Sequence, residues 1–171
     1  MIATQPAAAD ARRGEARPFA SYVMPAYNEE ARLPASLERV ITFLSKQRFT
    51  AEIVISDDGS RDRTGAIVHE RDRAGLPSNV TLRLVQHERN EGKGAAIRTG
   101  CLAARGEYVF FMDADLATPP EDSTRLLARL EGGDAVVTGS RIQPDGSDMR
   151  ASQPRQRRLA GQLFTTMRKL M

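Results

Sequence analysis

From Phe19 onward the chain alternates short runs of β-forming residues with stretches of helical periodicity, an order that closes most naturally into a parallel sheet wrapped by helices. The runs that read as strands are 20–24, 52–56, 81–86, 107–112 and 134–138. Between the first two, Leu33, Leu37, Val40, Ile41 and Leu44 recur at the spacing that lines one face of a helix. A second helix is expected over 62–73 with Ile67 and Val68 inward, and a third over 94–104 with Ile97, Cys101 and Leu102 inward. A fourth is expected over 120–130, started by Thr118 ahead of Pro119 and Pro120, with Glu121 and Asp122 in its first turn, and stopped by Gly132 and Gly133.

Composition narrows the classes that remain. A chain of 171 residues has the length of one domain with a real core, and its longest apolar runs, such as 40–44 and 109–112, are too short to span a bilayer. One cysteine, Cys101, rules out an intrachain disulfide, and the chain has no Cys/His cluster at zinc spacing, so a reducing cytoplasm is the simplest setting. The net charge of +3 is uneven: residues 1–18 carry three basic and two acidic groups, 19–141 sixteen and eighteen, and 142–171 six and two. The body is thus mildly acidic, tryptophan is absent and aromatics make only 5%, which argues against a nucleic-acid partner. Residues 1–18 show neither a hydrophobic period nor the apolar core of a secretory signal, and read as a disordered leader.

Each strand is followed at once by a polar or glycine-rich cluster. In a parallel sheet such strand ends share one edge, where ligands bind. The clusters are Pro25, Ala26, Tyr27, Asn28, Glu29 and Glu30; Asp57, Asp58, Gly59 and Ser60; Asn90, Glu91, Gly92, Lys93 and Gly94; Asp113, Ala114 and Asp115; and Gly139, Ser140 and Arg141.

Asp113 and Asp115 are the sharpest pair. Two residues apart at a strand end, they project to one side and offer two hard oxygen ligands to a single cation. Asp58 and Ser60 read as shaping a turn, and Asp57 as the acceptor of hydrogen bonds from a bound base. Gly92, Lys93 and Gly94 open a helix as a phosphate-cradling loop would. They match neither the dinucleotide fingerprint, because Ile97 stands at its third glycine, nor a P-loop, because Gly94 follows the lysine. The remaining candidates are mostly structural: Cys101 as a small core residue, His69 as exposed, and His87 with a minor claim on the ligand. Tyr27 either stacks on a base or packs at the mouth of the crevice.

Taken together, these motifs resemble glycosyltransferase family 2 enzymes of the GT-A fold over about 21–141. Residues 25–30 resemble the family's opening donor loop, 57–64 its second donor loop, 90–100 its glycine-rich helix start, and 113–115 its metal-binding Asp, any residue, Asp motif. Asp115 with Leu116, Thr118, Pro119 and Pro120, and later Gly139, Ser140 and Arg141, are most similar to the dolichyl-phosphate glucosyltransferase and mannose synthase branch. The resemblance implies a Rossmann-like α/β sheet and inverting transfer of a hexose from a nucleotide-diphosphate sugar, such as UDP-glucose or GDP-mannose, to a polyprenyl or dolichyl phosphate, with Mg2+ or Mn2+. It also implies donor contacts from Pro25, Ala26, Tyr27, Glu29, Asp57, Asp58, Lys93, Asp113 and Ala114, metal ligation by Asp113 and Asp115, and catalytic roles for Asp115 and Arg141.

The expected organisation is a leader over 1–18, a nucleotide-sugar-binding domain over 19–141, and a basic tail over 142–171 that begins an incomplete acceptor region, since the branch continues where this chain ends. In the tail, Leu159, Leu163, Phe164, Met167, Leu170 and Met171 form one helical face beside Arg155, Arg157, Arg158, Arg168 and Lys169; the face either lies on an anionic membrane, peripheral on its cytoplasmic side, or packs on the rest of the domain. Two rivals stand beside this reading. A sugar-phosphate nucleotidyltransferase would need a basic glycine-rich loop after the first strand, which residues 25–30 lack; the stronger rival is a nucleotide-sugar-binding module without full transferase activity.

Overall fold

The computed structural model describes residues 17–139 and the backbone of 2–4. The chain divides into two compact units, 1–138 and 139–171; the second, with Arg141 and the amphipathic tail, lies outside the described residues apart from Gly139.

Among the described residues six strands form one sheet: β1 (Ile2–Thr4), β2 (Ala20–Ala26), β3 (Ala51–Asp57), β4 (Val80–Gln86), β5 (Tyr108–Phe111) and β6 (Val136–Thr138). Their spatial order is β4-β3-β2-β5-β1-β6. Strands β4, β3, β2 and β5 run parallel, as the alternating pattern requires, linked through α1 (Leu33–Ser45), α2 (Thr64–Arg73) and α3 (Lys93–Ala103). The chain steps outward from β2 to β3 to β4, then returns past them to place β5 on the other side of β2. Strand order reverses between β2 and β5, and that is where a crevice opens.

Strands β2 and β3 are buried along their whole length, which suits apolar runs covered on both faces. On one face Tyr22, Met24, Ile53, Ile55 and Phe110 meet Leu33, Leu37, Val40 and Leu44 of α1, the stripe expected from the heptad-like spacing. Tyr22 stacks on Phe110 with ring centroids 4.9 Å apart, and its hydroxyl donates to Ser123 Oγ at 2.9 Å. Ser123 in turn donates to the Pro120 carbonyl at 2.6 Å, so one buried chain of bonds fastens the helix that begins at Ser123 to the central strands. Burial pushes the Tyr22 phenol up to about 12, against the pull of the Ser123 bond, so it stays neutral and hydrogen-bonded.

Three expectations change. Ile2–Thr4, inside the stretch read as a disordered leader, forms an antiparallel strand between β5 and β6; three residues are too few to display a period, and the pairing comes from the neighbouring backbones. The fourth helix begins not under a Thr118 cap but as a 3-10 turn (Pro120–Asp122) that leads into α4 (Ser123–Glu131). Leu102, expected inward, is 70% exposed. Helix α3 seats on the sheet through Ala96 and Gly100 instead, and a Cβ on Gly100 would lie 2.5 Å from Val23 Cγ1 and 3.0 Å from Ser56 Cβ. The small residues bring the helix close, and this rotates Leu102 outward.

Gly100→Ala is therefore expected to cost about 1–3 kcal/mol by overpacking, since Val23 is fully buried and cannot withdraw. Denaturant unfolding of the variant checks this; stability equal to the parent would contradict the close seating of α3.

Candidate active site

The carboxyl ends of the parallel strands carry three loops that bond to one another through side-chain caps. Asn28, at φ 53°, donates its N–H to Ser60 Oγ at 2.9 Å and accepts the Arg61 N–H on Oδ1 at 3.0 Å. Glu29 N–H goes to Thr64 Oγ1 at 2.8 Å, Glu30 N–H to Asp62 Oδ2 at 3.0 Å, and Arg63 N–H back to Glu30 Oε2 at 3.0 Å. Thus the loops after β2 and β3 hold each other by exchange of donors, satisfying backbone groups that no strand or helix serves. The loop after β4 joins them at Gly59, whose φ of 71° and close approach leave no room for a side chain: a Cβ would sit 2.4 Å from the Arg89 carbonyl carbon.

Of the two adjacent acids it is Asp58, not Asp57, that faces the crevice. Asp57 is fully buried and does not line the crevice; its Oδ1 accepts the Ser60 N–H at 3.1 Å and the Ser60 hydroxyl, and its Oδ2 accepts from Gln86 Nε2 at 2.7 Å. It is Asp57 that shapes the turn. Asp58 faces the crevice and accepts the Glu91 and Gly92 N–H groups, each at 2.8 Å, together with a bond to His87 Nδ1 at 2.9 Å. Two adjacent strand-end residues point to opposite sides, and the register of β3 decides which one meets the ligand edge. Burial pushes the Asp58 carboxyl up, but the Glu91, His87 and Gly92 bonds outweigh it and hold the group below the usual carboxylate range.

A cavity of about 360 Å³ opens between the ends of β2 and β5. Pro25, Ala26, Tyr27 and Glu29 form one wall, Asn90, Gly92, Lys93 and Ala96 another, and Asp113, Ala114 and Asp115 the third, with Arg32 and Asp58 completing it. Of the residues expected at the site, all but Asp57 and Arg141 line this cavity; Arg141 lies outside the described residues. Tyr27 is 45% exposed at the mouth.

After β5 the chain turns sharply, with Leu116 N–H on the Asp113 carbonyl at 3.0 Å and Leu116 at φ 49°. Asp115 Oδ1 accepts the Ala117 N–H at 3.0 Å, and Ala114 between the two acids is buried, so both carboxylates reach the cavity from one side of the chain. Lys93 Nζ sits 2.5 Å from Asp113 Oδ1.

The donor set fits a hard divalent cation. The Asp113 and Asp115 carboxylates face the same cavity, a cationic group already rests on Asp113, and among the described residues no group of three or more His, Cys, Asp or Glu is placed to surround an ion. That leaves positions for water and ligand oxygens, as Mg2+ and Mn2+ sites require.

Sequence reasoning missed Arg32, which lines the cavity and clasps Glu29 through Nε at 2.8 Å and Nη2 at 3.1 Å. The Glu29 to Arg32 spacing just before Pro34 was the available signal, a three-residue acid and base pair at a helix entrance. It also undervalued His87, whose place behind Asp58 depends on the fold.

Because the folded Asp58 carboxyl lies below its ordinary value of about 3.9, the order it gives to residues 91 and 92 is present above that value and is lost as pH falls below it. The amide proton shifts of Glu91 and Gly92, followed by NMR, should titrate with a midpoint under 3.9 on this basis; a midpoint at or above it would contradict the bonding described.

Comparison with known proteins agrees with the geometry. A family model described as glycosyl transferase family 2 matches residues 21–171. A dolichyl-phosphate beta-glucosyltransferase of Trichomonas vaginalis is 44% identical over 133 residues, covering 72% of this chain and 39% of its own length. An undecaprenyl-phosphate 4-deoxy-4-formamido-L-arabinose transferase of Aeromonas hydrophila is 39% identical over 126 residues, covering 73% and 38%. Among solved structures, a mannosyltransferase of Pyrobaculum calidifontis in complex with GDP-Man and Mn2+ superposes with a TM-score of 0.52 at 28% identity, over 64% of this chain and 31% of that one. The chain spans about two fifths of the length of the curated relatives it matches. With a parallel sheet whose order reverses at an acidic crevice, and with this match over most of its length, the chain belongs to glycosyl transferase family 2.

Proposed function

We propose that the chain binds a nucleotide-diphosphate sugar in the crevice between β2 and β5 and transfers its hexose, with inversion, to a polyprenyl phosphate at a membrane surface. The observation that carries this reading is the charge of the cavity. Among the described residues, Glu29, Asp58, Asp113 and Asp115 place four carboxylates there against two cationic side chains, Arg32 and Lys93. A diphosphate entering alone would meet net negative charge, whereas one that arrives with a divalent cation would find two ligands ready for it.

Asp113 and Asp115 would hold that cation, which when bound supplies the charge that neutralises the departing diphosphate. The remaining work falls to the chain. Lys93, at the mouth of α3 and already within reach of Asp113, follows the phosphates; Asp58 keeps an acceptor lone pair toward the base; Tyr27 covers the mouth. In the transfer the anomeric carbon's bond to the diphosphate oxygen breaks, its electrons leave with the nucleoside diphosphate, and a phosphate oxygen of the acceptor forms the new bond. A phosphate monoester with a second pKa of about 6 is already largely ionised, so no strong base is needed to activate it. The names of the relatives support a lipid-phosphate acceptor, and the Mn2+ complex of the mannosyltransferase supports the metal. The lipid-phosphate acceptors in the relatives' names support a place at the membrane surface; among the described residues no helix is long and apolar enough to cross a membrane.

One observation favours a second reading, donor binding without transfer: among the described residues every one that lines the cavity falls between Pro25 and Asp115, and these are the loops that would hold a donor. Glycolipid formation on liposomes containing polyprenyl phosphate, measured beside donor affinity, separates the two. Glycolipid product supports transfer, and donor binding with no product supports the second reading.

Asp115→Asn removes one charged ligand from an exposed position and leaves the core intact. Calorimetry with UDP and GDP in the presence of Mn2+ should show affinity reduced about tenfold or more, the loss of about 1.4 kcal/mol or more. Equal binding by variant and parent would remove the metal role from this residue.

A further inference from the structure

We propose that His87 is a positioning residue of the nucleotide site: its imidazole fixes the carboxylate of Asp58, and through it the loop over 90–92 that walls one side of the cavity. The effect on ligand binding rests on the nucleotide reading above; the effect on the loop does not.

His87 follows β4 and does not line the cavity. Its backbone N–H donates to the Asp57 carbonyl at 2.9 Å, which sets the ring beside the end of β3. Nδ1 lies 2.9 Å from Asp58 Oδ1, and Nε2 lies 2.9 Å from Thr99 Oγ1 on α3. Both partners of the carboxylate pair are withdrawn from water, with side-chain exposures of 10% for His87 and 3% for Asp58. An ionised carboxylate only accepts, so Nδ1 must carry hydrogen, and in the neutral ring Nε2 then accepts from the Thr99 hydroxyl. The ring therefore spans two elements, the β3 end and α3, and has one orientation that satisfies both nitrogens.

The carboxylate has about four acceptor sites. Glu91 N–H, Gly92 N–H and the His87 ring fill three of them, and the group still faces the cavity. Without His87, Oδ1 would keep only the Glu91 bond and the carboxylate could rotate about its χ2, releasing one loop amide or turning its free lone pair from the ligand.

The test uses His87→Ala, His87→Asn and Thr99→Val in the full chain. Asn sets an amide nitrogen near the position of Nδ1 and so keeps the bond to Asp58; Ala removes both bonds; Val keeps the shape of Thr99 and removes its hydroxyl. Hydrogen exchange at the Glu91 and Gly92 amides is measured without ligand, and UDP and GDP affinity is measured with Mn2+. Losing a bond to a charged group corresponds to about a tenfold change or more, so exchange should rise and affinity fall by about that factor in His87→Ala, while His87→Asn stays within about threefold of the parent. Thr99→Val should free the ring and give an intermediate rise in exchange. Unchanged exchange in His87→Ala, or equal impairment by Ala and Asn, would overturn the proposal. If His87→Ala does not fold, the exchange comparison between His87→Asn and Thr99→Val decides: the first near the parent and the second raised supports it, and the reverse order overturns it. Exchange that follows His87 in a parent that binds neither nucleotide would leave the loop role standing and defeat the nucleotide reading instead.

Discussion

The site hangs on the pairing of two strands far apart in sequence. Strand β2 ends in the loop that begins at Tyr27, strand β5 ends in the turn that carries Asp113 and Asp115, and parallel pairing from Ala20 with Tyr108 to Val23 with Phe111 sets their carboxyl ends side by side. Because the chain has already gone out to β4 before it returns, the connections on either side of this pair diverge and leave space above it. Close seating of α3 on Val23 and Ser56 through Gly100 then delivers Lys93 to the same space. Glycosyl chemistry enters only after this geometry is in place.

Charge decides what the space can hold. An acidic crevice looks ill suited to the diphosphate proposed for it until the carboxylates are sorted by their partners. Glu29 is clasped by Arg32, and Asp58 is committed to amides and an imidazole, while the lysine paired with Asp113 is itself 63% exposed along its side chain. Asp115 accepts one backbone bond. The pair that remains most available for a cation is therefore the pair at the end of β5. Asp57 and Asp58 are buried and committed to hydrogen bonds, whereas Lys93 and Asp115 are exposed.

Much of this was legible in the residues. The apolar stripe from Leu33 to Leu44, the parallel order of β2 to β5, and the first four strand-end clusters all depend on local periodicity, and the structure reproduces them; the fifth cluster lies outside the described residues apart from Gly139. What was not legible depends on register and close approach. Whether Asp57 or Asp58 meets the cavity is a matter of one residue in the phase of β3, and nothing in Asp, Asp, Gly, Ser states that phase. Leu102 reads as inward by spacing, but Gly100 and Ala96 let α3 settle with another face down. Arg32 and His87 act through partners three residues away or on another strand, so their types alone carried little information.

The central claim is that cation and nucleotide enter this cavity together. Water-proton relaxation by Mn2+ measures it directly, since Mn2+ held on a protein relaxes water more strongly than Mn2+ free or on a nucleotide alone. The account predicts that the chain with UDP or GDP and Mn2+ gives an enhancement well above the sum of the effects of chain with Mn2+ and nucleotide with Mn2+. An enhancement equal to that sum would contradict it.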